Sequence, residues 1–189
     1  MSFSALILAG GQSRRMGQDK AELRLGKLSL LQHMQQLAQQ AGASQILLSR
    51  NQPGTTYIQD LRPGQGPLAG IAAALRYCTE PVLLVLPIDL PLLSAGSLQL
   101  LVPGDNEQAV CFRDWPLPLA LRPDPKLAHL IEQQLDAGER SVKALLAKLR
   151  CTVRPAPDAE LFNTNTPAEW QQCLSTLQQA AILEEPRHD

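Results

Sequence analysis

The 189-residue sequence is poor in several things, and each shortage excludes something. Aromatic residues make up only 4%, which favours hydrogen bonding over ring stacking for any planar ligand. The four cysteines (Cys78, Cys111, Cys151, Cys173) lie far apart with no Cys-x-x-Cys pair, and His33, His129 and His188 are equally scattered. Neither a clustered zinc site nor a His-Glu-x-x-His site can be read from that spacing. Positive charge is not in excess: 17 Lys and Arg against 18 Asp and Glu give a formal net charge of −1. A broad nucleic-acid-binding or anionic-membrane surface needs a basic surplus. A small anionic ligand needs only a few well-placed groups. No apolar run approaches the ~18–20 residues of a membrane span. The first apolar run, Phe3 to Ala9, is short and leads into glycines, unlike a secretory signal. These shortages lead to the expectation of a soluble, cytoplasmic, thiol-reduced protein with neither nucleic acid nor membrane as partner.

What is present is a globular composition, 44% hydrophobic and 19% charged, in a chain of single-domain length. One domain is expected over residues 1–182. A frayed tail over 183–189 is expected because that stretch is charged and contains Pro186. Apolar patterning alternates between two periods. Phe3 to Ala9 reads as a strand buried on both faces, and Leu30, Leu31, Met34, Leu37, Ala38 and Ala41 recur at helical steps up to Gly42. Gln45 to Ser49 reads as a strand. Gly70 to Tyr77 reads as a helix entered through Gly66-Pro67, and Pro81 to Pro87 as the clearest strand. A helix over Ser97 to Val102 follows, then strands at Ala109 to Arg113 and Leu117 to Leu121 around a turn at Asp114 to Pro116. Leu127, Leu130, Ile131 and Leu135 mark a helix closed by Gly138, and Ser141 heads a helix over Val142 to Leu149. Thr166-Pro167-Ala168-Glu169 is a helix start with capping-box residues. Such alternation predicts a mostly parallel sheet with helices on both faces, whose ligands bind beyond the carboxyl ends of the strands.

The chemistry-bearing residues follow the strands. After the first comes Ala9-Gly-Gly-Gln-Ser-Arg-Arg-Met-Gly-Gln-Asp-Lys20. Its glycines permit sharp turning and present bare amides to an anion, while Arg14, Arg15 and Lys20 add cations; the loop reads as a triphosphate cradle. It is neither a Walker loop, for want of Gly-Lys-Ser/Thr, nor a Gly-x-Gly-x-x-Gly dinucleotide loop. Asp89 follows the strongest strand, between Pro87 and Pro91, where a carboxylate can hold Mg²⁺ or cap a turn.

The segment Leu8 to Lys20 resembles the signature of the molybdenum cofactor guanylyltransferases, members of the nucleotidyltransferases with a glycosyltransferase-A-like fold. Gly66-Pro-Leu-Ala-Gly70, Pro87-Ile-Asp-Leu-Pro91, Ala137-Gly-Glu-Arg140 and Asn163-Thr-Asn-Thr-Pro167 resemble later motifs of that family, in order along the chain. Gly10-Gly11, where the cytidylyl relatives usually carry Ala-Gly, points to the guanylyl branch. The resemblance implies a three-layer Rossmann-like α/β fold. It also implies a Mg²⁺-dependent transfer of GMP from GTP to molybdopterin or molybdenum cofactor. A cytidylyl or sugar-phosphate nucleotidyltransferase, or a nucleotide-binding regulatory protein without catalysis, are the alternatives.

The resemblance also assigns residues. Lys20 and Arg15 lie at the reacting phosphates, and Asp89 is the metal ligand. Leu8, Ala9, Gly10, Gly11, Gly66, Pro67 and Leu68 border the nucleotide, with Lys20 and Asp89. Asp60 recognises the base, since a carboxylate can accept from guanine ring N–H and amino donors together. Ser49 aligns with a family asparagine and Asn51 lies two residues on, so either is a base or ribose contact. Arg15, Arg140, Asn163 and Asn165 are the pterin contacts. A family His-Pro pair is replaced by Pro116-Leu-Pro118. Because the acceptor is oxygen-labile, molybdopterin-delivery and cofactor-insertion proteins are the implied partners.

Overall fold

The computed structural model describes residues 2–10, 19–52 and 56–184. Its main sheet contains β1 (Phe3–Leu8), β4 (Ala43–Ser49), β5 (Leu83–Pro87), β6 (Ala109–Phe112), β7 (Trp115–Leu121) and β8 (Cys151–Arg154). The strand order is β4-β1-β5-β7-β6-β8. β1 pairs in parallel with β4 and β5, and β6 with β8, while β7 is antiparallel to both β5 and β6. Five strands therefore end at one edge of the sheet, with β7 alone reversed. A small antiparallel ribbon, β2 (Arg24–Leu25) with β3 (Leu28–Ser29), lies between a one-turn 3₁₀ helix (Lys20–Glu22) and the first long helix.

Side chains alternate across the central strands and so feed two separate cores. Leu84 and Leu86 of β5, with Ile7 of β1, pack into the core formed with α1 (Leu30–Gln40), α3 (Ala95–Leu100) and α6 (Pro167–Glu184). Leu83 and Val85, with Leu6, enter the opposite core with α2 (Pro67–Leu75), α4 (Pro125–Asp136) and α5 (Val142–Lys148). The result is the expected three-layer arrangement. Truncating a fully buried member such as Leu86 to Ala costs about 2–5 kcal/mol in comparable cores.

Caps fix where the helices begin. Ser29 and Gln32 form a reciprocal capping box on α1, Ser94 caps α3, Asp124 caps α4 and Ser141 caps α5. Such caps are typically worth ~1 kcal/mol each. They also explain several boundary shifts from the sequence reading. α3 starts at Ala95 because Ser94 accepts from the Ser97 amide. α2 starts at Pro67, not Gly70, because proline is suited to the first helical position and Gly66 (φ 73°) makes the turn before it. The β6–β7 turn is tighter than expected: Asp114 takes φ 64° and β7 already begins at Trp115. Beyond the named strands, Ile58 makes one isolated parallel bridge, with Ser49. No helix of the described residues is long and apolar enough to cross a membrane. The tail residues 185–189 lie outside the described residues.

Candidate functional site

The first cluster joins three predicted residues from three parts of the chain. Lys20 stands in the 3₁₀ turn that follows the glycine loop, and Asp19 caps that turn by accepting from the Ala21 amide at 3.0 Å. The Lys20 ammonium donates to Asn165 Oδ1 at 2.7 Å and lies 3.7 Å from Asp89 Oδ2. Asp89 is in the turn directly after β5, and the turn is held from several sides. The Ile88 amide donates to the Leu8 carbonyl (3.2 Å), and the Asp89 carbonyl accepts from the Thr164 amide (2.9 Å) and hydroxyl (3.3 Å). His33 of α1 bonds the Pro91 carbonyl at 2.9 Å through Nε2, which acts as donor there.

Asn165 is itself oriented by the start of α6. Glu169 accepts from the Asn165 and Thr166 amides, both at 2.8 Å, and its own amide donates to Thr166 Oγ1. The hydrogen bond from the Asn165 amide, then the Thr166 hydroxyl and finally the charge of Lys20, hold the Glu169 carboxyl below its ordinary range. The sequence marked Glu169 only as a helix-start residue. Its second task, aiming Asn165 at Lys20, has no signature in the sequence.

The second cluster lies beyond β4. Ser49 is buried and donates to Asp60 Oδ1 at 3.3 Å. Asn51 and Asp60 form a two-bond ring: Asn51 Nδ2 donates to Asp60 Oδ2, and the Asp60 amide donates to Asn51 Oδ1, each at 2.9 Å. Both candidates left open by the sequence therefore meet the same carboxylate. Gly70 of α2 is what lets the cluster close. A Cβ there would lie 2.8 Å from Ser49 Oγ and 2.9 Å from Leu8 Cδ2.

The remaining candidates divide. Ala9 is buried and its amide donates to the Ser49 carbonyl at 2.9 Å, joining the two strand ends, and Gly10 sits beside Asn51. At the head of α2, Gly66 offers no side-chain cap, Pro67 is exposed but has no N–H, and the Leu68 side chain is fully buried, so any hydrogen bond from Gly66, Pro67 or Leu68 to a ligand is made by backbone groups. Arg140 is exposed and donates to the Gly64 carbonyl at 3.3 Å, which places it with the Asp60–Gly66 loop. Asn163 is half-buried, next to Thr164. Gly11, Arg14 and Arg15 lie outside the described residues. Among the described residues no group of three or more His, Cys, Asp or Glu could enclose a metal. Asp89, 27% exposed, is the carboxylate beside Lys20.

The site thus has a cation and a carboxylate at the β5 end and an amide–carboxylate pair at the β4 end, with the chain leaving β1 between them. The model of the MobA-like NTP transferase domain matches residues 5–153. The chain belongs to this family.

Similarity within the MobA-like NTP transferases extends over nearly the full length. The chain is 38% identical over 178 residues to the molybdenum cofactor guanylyltransferase of Xanthomonas euvesicatoria pv. vesicatoria (strain 85-10), covering 91% of this chain and 94% of the relative. It is 37% identical over 191 residues to the probable molybdenum cofactor guanylyltransferase of Synechococcus elongatus, covering 90% and 97%. In fold it matches the molybdopterin-guanine dinucleotide biosynthesis protein A of Archaeoglobus fulgidus, with TM-score 0.76, 22% identity, and 93% and 99% of the two chains covered. It also matches the 2-C-methyl-D-erythritol 4-phosphate cytidylyltransferase of Thermus thermophilus, with TM-score 0.69, 17% identity, and coverage of 94% and 100%. This MobA-like chain is therefore a nucleotidyltransferase enzyme on a Rossmann-like sheet.

Proposed function

We propose that the protein transfers GMP from GTP to molybdopterin, or to its molybdenum-loaded form, and releases pyrophosphate. The observation that carries this reading is the meeting of Lys20, Asp89 and Asn165 at the ends of β1 and β5. The names of the relatives support the guanylyl and molybdenum-cofactor assignment. A terminal phosphate oxygen of the pterin attacks the α-phosphorus of GTP, the new P–O bond forms, and the bond to the bridging oxygen breaks as pyrophosphate leaves. An ionised phosphate is already a nucleophile, so the protein needs no covalent intermediate and acts by positioning and charge stabilisation.

In this reading Lys20 and Arg15 neutralise charge on the phosphates, with the Gly10 and Gly11 amides beside them. Asp60, with Ser49 and Asn51, takes the base, while Asn163 and Asn165 take the pterin edge and Arg140 its phosphate. Asp89 fits Mg²⁺ as the single protein carboxylate of an ion that otherwise uses phosphate oxygens and water. Bound there, Mg²⁺ would supply charge neutralisation at the α-phosphate and the leaving group. We assign one domain over residues 1–182, a cytoplasmic location, and delivery and insertion proteins as partners in handing over an oxygen-labile pterin.

The reading is tested by melting the protein with Mg²⁺ and each of GTP, CTP, ATP and UTP. A ligand at ~100 times its Kd adds ~2.7 kcal/mol of stability. Stabilisation by GTP alone, with pyrophosphate release once acceptor is added, is the expected result. Preference for CTP overturns the guanylyl assignment. GTP binding without pyrophosphate release overturns catalysis in favour of a regulatory protein.

A further inference from the structure

Between Ser49 and Asn51 stands a residue that neither cluster uses. The chain leaving β4 is extended, so successive side chains point to opposite sides. Ser49 and Asn51 reach Asp60, and Arg50 points the other way, into the protein, where it is 4% exposed. Its Nη2 donates to Asp19 Oδ2 at 2.6 Å and to Glu22 Oε1 at 3.0 Å. Its Nη1 donates to the Tyr57 hydroxyl at 3.2 Å, and the guanidinium carbon lies 5.2 Å from the Tyr57 ring centre. The strand extension is fixed in turn by the Arg50 amide on the Ile58 carbonyl (3.1 Å) and the Ala9 amide on the Ser49 carbonyl (2.9 Å).

Asp19 and Glu22 are the cap and the last residue of the 3₁₀ turn that carries Lys20. One guanidinium therefore grips that turn at both ends. Asp19 divides its two oxygens: Oδ1 holds the Ala21 amide, while Oδ2 takes Arg50 and also Gln52 Nε2 at 2.9 Å. A single 3₁₀ turn has little stability of its own, so the placement of Lys20 must come from what the turn is fastened to. Burial works against the charge on Arg50, but the hydrogen bonds to Asp19 and Glu22, with Tyr57 behind them, outweigh it and hold the guanidinium charged. The bonds are spread over two nitrogens of a planar fork, whereas the three donors of a lysine radiate from a single nitrogen and do not reproduce that geometry.

We propose that Arg50 is a positioning residue for Lys20, setting the ammonium against Asp89 and Asn165 through the Asp19–Glu22 turn and tying it to the strand end that bears Ser49 and Asn51. The inference deepens the nucleotidyl-transfer reading and rests on Lys20 serving the phosphates.

The test uses the full chain and four variants: Arg50→Met, Arg50→Lys, Lys20→Ala and the double Arg50→Met/Lys20→Ala, each checked for folding by circular dichroism. Misplacing a reacting group by ~1 Å can cost ~10²-fold in rate, so Arg50→Met should lower kcat by ~10–100-fold while the KM for the nucleotide moves far less. In the Lys20→Ala background the same substitution should cost little more, because a residue acting through Lys20 has nothing left to position. Arg50→Lys should recover only part of the loss. Equal losses in both backgrounds, or an unchanged kcat, overturn the proposal.

A second readout needs no turnover: acylation of Lys20 by acetic anhydride, followed by mass spectrometry against the exposed Lys126 and Lys143 as internal standards. Arg50→Met, or Arg50→Lys should the first fail to fold, should change the Lys20 rate relative to these two. An unchanged ratio overturns the proposal. If the wild type transfers from a nucleotide other than GTP, or transfers nothing, the proposed function falls, while the acylation ratio still decides the role of Arg50.

Discussion

Lys20 and Asn165 are 145 positions apart in sequence and 2.7 Å apart in space, and Asp89 completes the group from a third segment. Each was nameable from sequence because it sits directly after a strand or in a motif, where a sheet of this kind collects its ligand-binding groups. Their mutual contacts were not nameable, since nothing local in the sequence encodes which carboxylate faces which ammonium. Replacing Lys20 by Ala should lower kcat/KM by ~10²–10³, as loss of one preorganised donor to a developing charge does elsewhere. The melting temperature should stay near that of wild type, because Lys20 is outside both cores. Replacing Asp89 by Asn should lower turnover similarly and raise the Mg²⁺ concentration required for half-maximal rate. A Mg²⁺ titration of pyrophosphate release measures both effects. Near-wild-type kinetics from either folded variant would remove that residue from the mechanism.

At the scale of elements, the strands and helices with strong apolar periodicity were legible, and their ends moved by a few residues where a cap overruled periodicity. β8 and the β2–β3 ribbon were not legible. The ribbon strands have two residues each, too few to show a period, and β8 (Cys-Thr-Val-Arg) lacks the continuous apolar run that marks the equally short β6, with which it pairs. The glycine motif at the head of α2 was legible as a motif, but its reason was not: Gly70 is required by the approach of Ser49 and Leu8 from the ends of β4 and β1. Gly70→Ala should therefore cost about 1–3 kcal/mol as overpacking, and weaken nucleotide binding by displacing Ser49 from Asp60. Denaturant unfolding and nucleotide titration check the two halves separately.

The start of α6 gives a pH prediction. The folded-state pKa of Glu169 is depressed, first by the Asn165 amide. Its contribution is therefore present above the ordinary glutamate value of ~4.3 and disappears as pH falls through the depressed folded value. The melting-temperature gap between wild type and Glu169→Gln should be full at neutral pH and close in acid. A gap independent of pH would mean that the carboxylate charge has no part in the cap.

At the scale of the whole molecule, two cores lie back to back across one sheet, and each encloses a thiol: Cys173 of α6 in one, Cys111 of β6 in the other. Burial pushes Cys173 up to about 11, and burial together with the Cys151 thiol at 3.4 Å pushes Cys111 up to about 12. At pH 8 only ~10⁻³ or less of either is thiolate, and neither is open to solvent, so alkylation must wait for opening of the structure. Cys78 and Cys151 are half-buried and should react first with iodoacetamide. The decisive comparison is between the two slow thiols with and without nucleotide. If both layers belong to one cooperative unit, GTP with Mg²⁺ at ~100 times its Kd adds ~2.7 kcal/mol to the only opening that exposes either thiol. Both should then slow by the same ~100-fold, although Lys20 and Asp60 touch neither cysteine. Fast labelling of Cys173 that nucleotide leaves unchanged would instead mean that α6 detaches alone. Asn165 would then be carried by a separately opening layer, and the assignment of residues 1–182 to one unit would fall.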